Sequence, residues 1–146
     1  MILLDTNVIS EALKSAPSPQ VVSWLDSNFA GSALSSIAIF ELGAGLAMLS
    51  PGRRRDALEN AVTRTVRRFG SRIYAFDAAA AQAAARLLAQ ARASGLPLHQ
   101  IPNKLADLQI AGIASAYGLD LATRNIGDFA GLGLELINPW QWSAPN

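Results

Sequence analysis

The chain has 146 residues, a formal net charge of +1, 51% hydrophobic residues and no cysteine. This composition fits one globular domain over residues 1–146 and excludes a disordered chain, a disulfide framework and a thiolate zinc site. The N-terminus lacks the basic residues of a signal peptide, and no apolar run approaches the roughly 18 residues of a membrane span, so we expect a cytoplasmic protein.

Predicted strands and helices alternate along the chain. In order, the pattern predicts a strand over residues 2–4, helices over 7–14 and from 19, a strand over 32–35, helices over 36–49 and 53–69, a strand over 73–76, helices over 78–94 and 104–117, and strands over 119–123 and 134–137. Ser18, Ser36 and Asp77 are predicted helix N-caps, and Gly95 and Gly118 are predicted C-caps. This alternation predicts an α/β fold around a parallel sheet.

The small net charge hides a basic segment. Seven of the twelve lysine and arginine residues fall between Arg53 and Arg72, on and just after a predicted amphipathic helix. Arginine binds phosphate in a bidentate manner, so the segment fits a nucleic-acid surface. A solvated helix face is nevertheless the more common explanation of such a charge run.

Asp5 directly follows the first predicted strand. Ligands of open parallel sheets bind beyond the carboxyl ends of the strands, so this position favours a functional carboxylate. With Thr6 and Asn7 beside it, Asp5 fits a helix N-cap equally well.

Glu41 lies in the predicted helix over residues 36–49, among Ile37, Phe40, Ala44 and Met48. Their helical spacing predicts a stripe that faces the core. A carboxylate on that stripe is costly unless a cation or a buried arginine pairs with it. Glu41 therefore points to a bound metal ion without requiring one.

Asp107 repeats this pattern in the first turn of its predicted helix, on the face of Ile110, Ala111 and Ala114. We expect it to look inward and to join the site. The alternative is a carboxylate that only stabilises the helix dipole.

A polar segment, residues 123–128, follows the strand predicted over 119–123. Thr123, Asn125 and Asp128 are therefore expected at the same edge of the sheet as Asp5. Taken alone, the segment is an ordinary turn.

Clustered carboxylates indicate a hard divalent metal ion. Their oxygen atoms suit Mg²⁺ or Mn²⁺, which can activate water and stabilise charge on a phosphoryl group. Catalysis by two histidines or by cysteine is excluded, because His99 is the single histidine and cysteine is absent. We expect His99 to be an exposed loop residue.

Other protein classes also place an aspartate after a first strand. Haloacid-dehalogenase-like phosphatases carry a second aspartate two residues later, where this chain has Asn7, and receiver domains need a lysine later than Lys104. A non-catalytic binding module that keeps the acids remains an alternative, as does the phosphatase.

Four motifs in order resemble the PIN-domain family, specifically VapC toxins of the FitB-like group. The resemblance covers nearly the whole chain and is carried by segments 2–11, 35–45, 106–114 and 122–129, together with segments 51–55 and 137–140. It implies a PIN domain with a central parallel sheet of about five strands and helices on both faces.

The resemblance also implies residue roles. The implied catalytic residues are Asp5, Glu41, Asp107 and Asp128, with the metal on Asp5 and Asp107. Many PIN domains have an aspartate where this chain has Asn125, so Asn125 is the alternative to Asp128 for the fourth position. Glu41 would orient or deprotonate the attacking water, and Arg124 would neutralise a phosphate oxygen. The implied substrate-binding residues are Thr6, Asn7, Thr123, Arg124 and Asn125.

The activity implied is Mg²⁺- or Mn²⁺-dependent hydrolysis of RNA phosphodiesters, leaving a 5′-phosphate and a 3′-hydroxyl, by the toxin half of a toxin–antitoxin pair. The basic segment would then guide RNA by its phosphates. Family members are typically homodimers bound by a VapB-like antitoxin that often places a basic residue in the acidic pocket. Small residues at Ala80, Ala83, Ala84 and Ala91 permit close helix packing, either between subunits or within the monomer.

Overall fold

The computed structural model of the chain describes residues 1–100 and 104–145. Five strands form a parallel sheet in the order β3-β2-β1-β4-β5. These strands are β1 (Ile2–Leu4), β2 (Ser32–Ser35), β3 (Ile73–Tyr74), β4 (Asp120–Ala122) and β5 (Leu136–Ile137). The predicted α/β architecture is confirmed, although three of the strands are shorter than their patterns suggested.

Helices connect and flank the strands in the described residues. They are α1 (Thr6–Ala12), α2 (Pro19–Asn28), α3 (Ser36–Ala47), α4 (Arg53–Phe69), α5 (Ala78–Ser94), α6 (Leu105–Tyr117) and α7 (Ile126–Phe129). The four-residue α7 was not predicted. In this part of the chain, no helix combines the length and hydropathy needed to cross a membrane. His99 is exposed in a short 3₁₀ turn, as expected, whereas the loop proline at 102 lies outside the described residues.

The sheet separates two hydrophobic layers because successive side chains of a strand point to opposite faces. Leu3 of β1 and Leu121 of β4 join the layer formed with α5 and α6. Leu4 and Ala122, the next residue in each strand, join the layer formed with α1 to α4. Helices therefore cover both faces, which explains why the strands are apolar on both sides.

Capping residues set several of the helix boundaries. The Asp77 carboxylate accepts a hydrogen bond from the Ala80 amide at 3.0 Å, and Gly95 closes α5 in the left-handed conformation, both as predicted. For α3 the predicted cap is wrong by one residue. The Ser35 hydroxyl accepts from the Ala38 amide at 2.9 Å, while the Ser36 hydroxyl instead accepts from the Phe76 amide at 3.0 Å.

The predicted inner face of α3 is also wrong. Phe40 is 73% exposed and Met48 is 86% exposed, whereas Ala38 and Leu42 are buried. Because α3 is apolar almost all round, hydrophobic spacing alone does not select the face that packs. Phe40 and Met48 instead form an outward apolar face.

Small residues let α5 and α6 approach each other closely. A Cβ atom at Gly112 would lie 2.6 Å from the Ala80 carbonyl oxygen and 2.7 Å from the Ala84 Cβ. Ala83 and Ala91 are buried in the same layer. The buried alanines of α5 thus pack within the chain rather than between subunits, and this packing fixes α6, which carries Asp107.

The order of the strands creates a crevice between β1 and β4. The chain runs from β1 outward through β2 to β3, and then returns to place β4 on the other side of β1. Ligand sites of open α/β sheets lie at such a reversal point, beyond the carboxyl ends of the strands. Asp5 follows β1 there, and Thr123 follows β4.

Candidate active site

Asp5 is anchored by side chains rather than used as a helix cap. It occupies the N-cap position of α1, but its side chain makes no capping hydrogen bond. Its Oδ2 atom instead accepts from the Thr123 hydroxyl at 2.7 Å and from Asn7 Nδ2 at 2.9 Å. Burial raises the pKa of Asp5, and the charge of Glu41 adds to this effect, whereas the two hydrogen bonds oppose it.

Thr123 is the centre of this anchor. It is fully buried. Besides donating to Asp5, its hydroxyl accepts from the Asn125 amide at 3.0 Å and lies 3.5 Å from Asn7 Nδ2. A buried, fully engaged hydroxyl has no surface for substrate, so its position supports holding Asp5 in place, not the substrate contact that the resemblance implied.

Glu41 reaches the same edge from α3. Its Oε1 atom accepts a hydrogen bond of 2.6 Å from the Thr6 hydroxyl, at the first residue of α1. The side chain is half-buried. Glu41 is therefore directed toward the motif around Asp5, although the argument that placed it on a core-facing stripe was wrong.

Asp107 lies in the first turn of α6, where the charges of the other acids affect its pKa. Its pKa is raised from 3.8 to about 6, first by burial and then by the charge of Asp5, with smaller contributions from Asp128 and Glu41. Lys104 opposes this rise. A carboxylate that only stabilised a helix dipole would be favoured in its charged form, so the direction of the shift speaks against that alternative.

These four carboxylates form what we call the acidic cluster: Asp5, Glu41, Asp107 and Asp128. The charges of the other three act on Asp107, although the four residues come from four separate segments of the chain. The fold therefore brings together the four acids that the sequence singled out.

Lys104 is a site residue that the sequence analysis did not select. Its Nζ atom lies 2.9 Å from Asp128 Oδ2, and roughly three-quarters of each side chain is buried, with 27% and 22% exposed. Its partner is 24 residues away in the sequence, so neither helical spacing nor a local motif could reveal the pair.

Arg124 and Asn125 lie at the exposed rim of the site. The Arg124 guanidinium lies over the Trp140 ring, 5.3 Å from its centroid, and its charge lowers the pKa of Glu11 as the last of several causes. Its backbone amide is 3.4 Å from Asn7 Oδ1. The side chain of Arg124 thus turns toward Trp140, while Lys104 is the cation that faces the acidic cluster.

The acidic cluster fits a hard divalent cation by its chemistry. Its donors are carboxylate oxygens, the ligands that Mg²⁺ and Mn²⁺ prefer. Besides burial, the negative charges of Asp5, Asp128 and Glu41 raise the pKa of Asp107. As the described residues stand, no three acidic, histidine or cysteine side chains are arranged closely enough to form a complete coordination site. The fit therefore rests on charge and donor type.

Comparison with known proteins identifies related chains. A plasmid stability protein, StbB, from Pseudomonas syringae pv. tomato is 43% identical over 97% of this chain and 99% of its own length. The VapC ribonuclease Y4jK of Sinorhizobium fredii is 39% identical over the same shares of the two chains. Toxin FitB of Neisseria gonorrhoeae is 37% identical over 96% of this chain and 99% of its own.

The fold agrees with these relationships. The crystal structure of FitAcB from Neisseria gonorrhoeae matches 97% of this chain and 100% of its own with a TM-score of 0.87 and 37% identity. The family model described as PIN domain matches residues 2–132, a range that includes all four members of the acidic cluster. The chain therefore belongs to the PIN-domain family.

Proposed function

We propose that the protein is a metal-dependent endoribonuclease and the toxin component of a VapBC-type toxin–antitoxin pair. The observation that carries the proposal is the convergence of Asp5, Glu41 and Asp128 on Asp107, whose pKa is raised to about 6. Like charges are brought together in a fold at a cost, and a bound cation removes that cost. The kinship with a VapC ribonuclease and with Toxin FitB supports the choice of reaction and biological role.

Asp5 and Asp107 would hold the metal, Mg²⁺ or Mn²⁺. When bound, this ion activates a water molecule and stabilises negative charge on the phosphoryl group. Glu41, held by the Thr6 hydroxyl, accepts a proton from the attacking water. The water oxygen bonds to phosphorus, the bond to the 3′-oxygen breaks, and that oxygen takes up a proton, leaving a 5′-phosphate and a 3′-hydroxyl.

The remaining motif residues hold these groups in place. Thr123 and Asn7 orient the Asp5 carboxylate through the hydrogen bonds described above. Thr6 does the same for Glu41. Asn125 is exposed beside them and is the motif residue best placed to contact RNA, together with Arg124 at the rim.

The outer face of α4 supplies a surface for RNA phosphates. Arg53, Arg64 and Arg67 are exposed, on the side of the helix opposite the buried Val62 and Phe69. The two ion pairs found in residues 1–100 and 104–145 join Lys14 to Glu11 and Lys104 to Asp128, so neither involves this helix. Unpaired arginines on one helix face favour contact with a phosphate backbone.

Two residues of the basic segment serve the fold instead. The Arg72 guanidinium donates to the carbonyl oxygens of Phe29 and Ser32. Arg68 lies over the Phe29 ring, 4.2 Å from its centroid. The RNA surface is therefore limited to Arg53, Arg64 and Arg67.

A protein partner is supported by apolar surface near the acidic cluster. A groove of about 710 Å³ runs between α1, α3 and α4 with Glu41 in its wall, and leucines line much of it: Leu13, Leu42, Leu46, Leu49 and Leu58. A VapB-like antitoxin segment with apolar side chains fits the leucine lining, and a basic residue at its end fits the part of the wall formed by Glu41, while Lys14 and Arg54 line other parts. The exposed apolar face with Phe40 and Met48 supports association with a second copy of the chain.

Activity with a defined metal tests the proposal. Purified protein should cleave single-stranded RNA in Mg²⁺ or Mn²⁺ and stop when a chelator is added, and the products should carry 5′-phosphates. Cleavage that persists in excess chelator would contradict metal dependence. Metal binding without cleavage of any RNA would favour the non-catalytic binding module, whereas the phosphatase alternative is set aside by membership of the PIN-domain family.

A further inference from the structure

Lys104 is fixed at the entrance to α6 by its backbone as well as by its side chain. Its amide donates to the Gln100 carbonyl at 3.2 Å, and its carbonyl accepts from the Leu108 amide at 2.9 Å. The side chain then extends to Asp128, with 2.9 Å between Nζ and Oδ2. This contact links the start of α6 to α7, the two helices that carry Asp107 and Asp128.

The charge of Lys104 acts on more than its hydrogen-bond partner. The ammonium group lowers the pKa of Asp107, and the pKa of Lys104 is itself raised, first by its hydrogen bond to Asp128 and further by both carboxylates. Arg124, the nearest alternative cation in the sequence motif, lies over Trp140 instead. Lys104 is thus the basic side chain that forms an ion pair with a member of the acidic cluster in the described residues.

We propose that Lys104 is a built-in counter-ion of the acidic cluster, which positions Asp128 and limits how tightly the site binds a divalent cation. The inference rests on the proposed function, because it concerns the same site. Without metal, the ammonium group offsets part of the repulsion among the acids and stabilises the folded chain. When a divalent cation is present, the same positive charge repels it and weakens its binding.

These two effects have opposite signs, which separates the proposal from a purely structural role. Replacing Lys104 by a neutral side chain of similar length should destabilise the metal-free protein and at the same time strengthen metal binding. Replacing a residue that only supported the local fold would lower both the stability of the metal-free protein and its affinity for metal. The positioning role is therefore testable without measuring cleavage.

The experiment compares wild type with Lys104→Met, Lys104→Arg and Lys14→Met. Mn²⁺ is titrated into each full-length protein by calorimetry in the absence of RNA, and thermal unfolding is recorded in chelator. For Lys104→Met we expect the Mn²⁺ dissociation constant to fall by about three- to tenfold, the effect of one charge at a partly screened site. Its metal-free melting temperature should fall by about 2–4 °C.

Two controls isolate the charge at this position. Lys104→Arg keeps the charge, so its Mn²⁺ affinity should stay close to that of wild type. Lys14→Met removes the same kind of side chain from the other ion pair, in which Lys14 Nζ lies 2.6 Å from Glu11 Oε2, and should leave Mn²⁺ binding unchanged. The change in melting temperature of Lys14→Met gives the cost of losing an ion pair away from the acidic cluster.

The outcomes distinguish the counter-ion role of Lys104 from the proposed metal-dependent function. If wild type binds Mn²⁺ but Lys104→Met binds it equally or more weakly, the counter-ion role is overturned while the proposed function stands. Equal tightening in Lys14→Met would also overturn it, because the effect would then be one of net charge. A wild-type chain that binds no Mn²⁺ would overturn the proposed function and this inference together.

Discussion

Thr123 and Asp5 are 118 residues apart in the sequence, yet the Thr123 hydroxyl donates to Asp5 Oδ2 at 2.7 Å. The contact joins the residues that follow β1 and β4, which are hydrogen-bonded neighbours with Leu4 opposite Ala122. Strand pairing therefore sets the position of the Asp5 carboxylate, which we propose as a metal ligand. A hydroxyl group that holds a metal ligand in this way fixes its orientation and is often needed for full activity.

Replacing Thr123 tests this dependence. Thr123→Val keeps the shape but removes the hydroxyl, so Asp5 loses a hydrogen bond that lowers its pKa, and the Asn125 amide loses its acceptor. We expect activity or Mn²⁺ affinity to fall by about 10–100-fold, with a loss of about 1–3 kcal/mol in the free energy of unfolding. Thr123→Ser, which keeps the hydroxyl, should retain most of the activity. Full activity in Thr123→Val would show that the hydrogen bond is dispensable.

Asp107 gives a prediction about pH. Its pKa is raised from 3.8 to about 6 in the folded chain. As pH rises through this interval, the unfolded chain releases the proton first, so the folded chain holds more protons and stability falls with increasing pH. Asp107 should therefore make metal-free wild type less stable, relative to a chain with a neutral residue at this position, as pH rises from about 4 to about 6. Because Asp107 is partly solvated, we expect about 1–2 kcal/mol rather than the full value of the shift.

The Asp107→Asn variant provides the comparison. It should lack this loss of stability, so that at neutral pH it is more stable without metal than wild type, yet it should not cleave RNA. Added Mn²⁺ should stabilise wild type and have much less effect on the variant. Thermal unfolding at several pH values, with and without Mn²⁺, checks both statements. An Asp107→Asn protein that is destabilised and still responds fully to metal would mean that Asp107 serves only the start of α6.

The sequence predicted most of the fold and the composition of the site, for physical reasons that differ between elements. Asp5, Asp107 and Asp128 follow or begin regular elements, so local patterns place them at one edge of the sheet. The buried face of α3 was not predictable from hydrophobic periodicity, because apolar residues occur on almost every side of that helix. Phe40 and Met48 consequently turned out to be exposed.

Long-range side-chain contacts were the other feature that the sequence did not predict. Lys104, just before α6, pairs with Asp128 in α7, with all of α6 and β4 between them in the sequence. Neither local sequence indicates that the other residue is its partner. Likewise, the role of Thr123 depends on which strands are neighbours, a property of the whole sheet. The sequence thus singled out the acids that the fold brings together, whereas the structure was needed to find the groups that hold them.

The outer face of α4 leads to a prediction about salt. Each phosphate contact to single-stranded RNA contributes roughly 0.7 to the slope of log affinity against log salt concentration. Arg64→Gln with Arg67→Gln should therefore weaken RNA binding and reduce that slope by up to about 1.4. Fluorescence anisotropy of labelled RNA in chelator, at several salt concentrations, measures this without cleavage.

A matched pair of substitutions on α5 controls for net charge. Arg86 and Arg92 are exposed like Arg64 and Arg67, so Arg86→Gln with Arg92→Gln changes the total charge by the same amount. This control should leave the salt dependence near that of wild type. Equal effects of the two double variants would show that RNA responds to overall charge and not to the face of α4.

The contact between α5 and α6 gives a prediction about stability. A Cβ atom at Gly112 would meet the Ala80 carbonyl oxygen at 2.6 Å, and backbone cannot move aside as a flexible side chain does. Gly112→Ala should therefore lower the free energy of unfolding by about 1–3 kcal/mol, the usual cost of overpacking. Denaturant unfolding of metal-free protein measures this change.

Gly43→Ala on α3 separates this steric cost from the ordinary preference of helices for alanine. Nothing lies within 4 Å of a Cβ atom at Gly43, so alanine there should stabilise the protein by about 0.5–1 kcal/mol. Opposite signs for the two variants would show that close packing requires glycine at position 112. Since α6 also carries Asp107, a displaced α6 should reduce cleavage in Gly112→Ala while Gly43→Ala remains active. Stabilisation by both substitutions would mean that α5 and α6 have room to separate, and that the position of Asp107 does not depend on their contact.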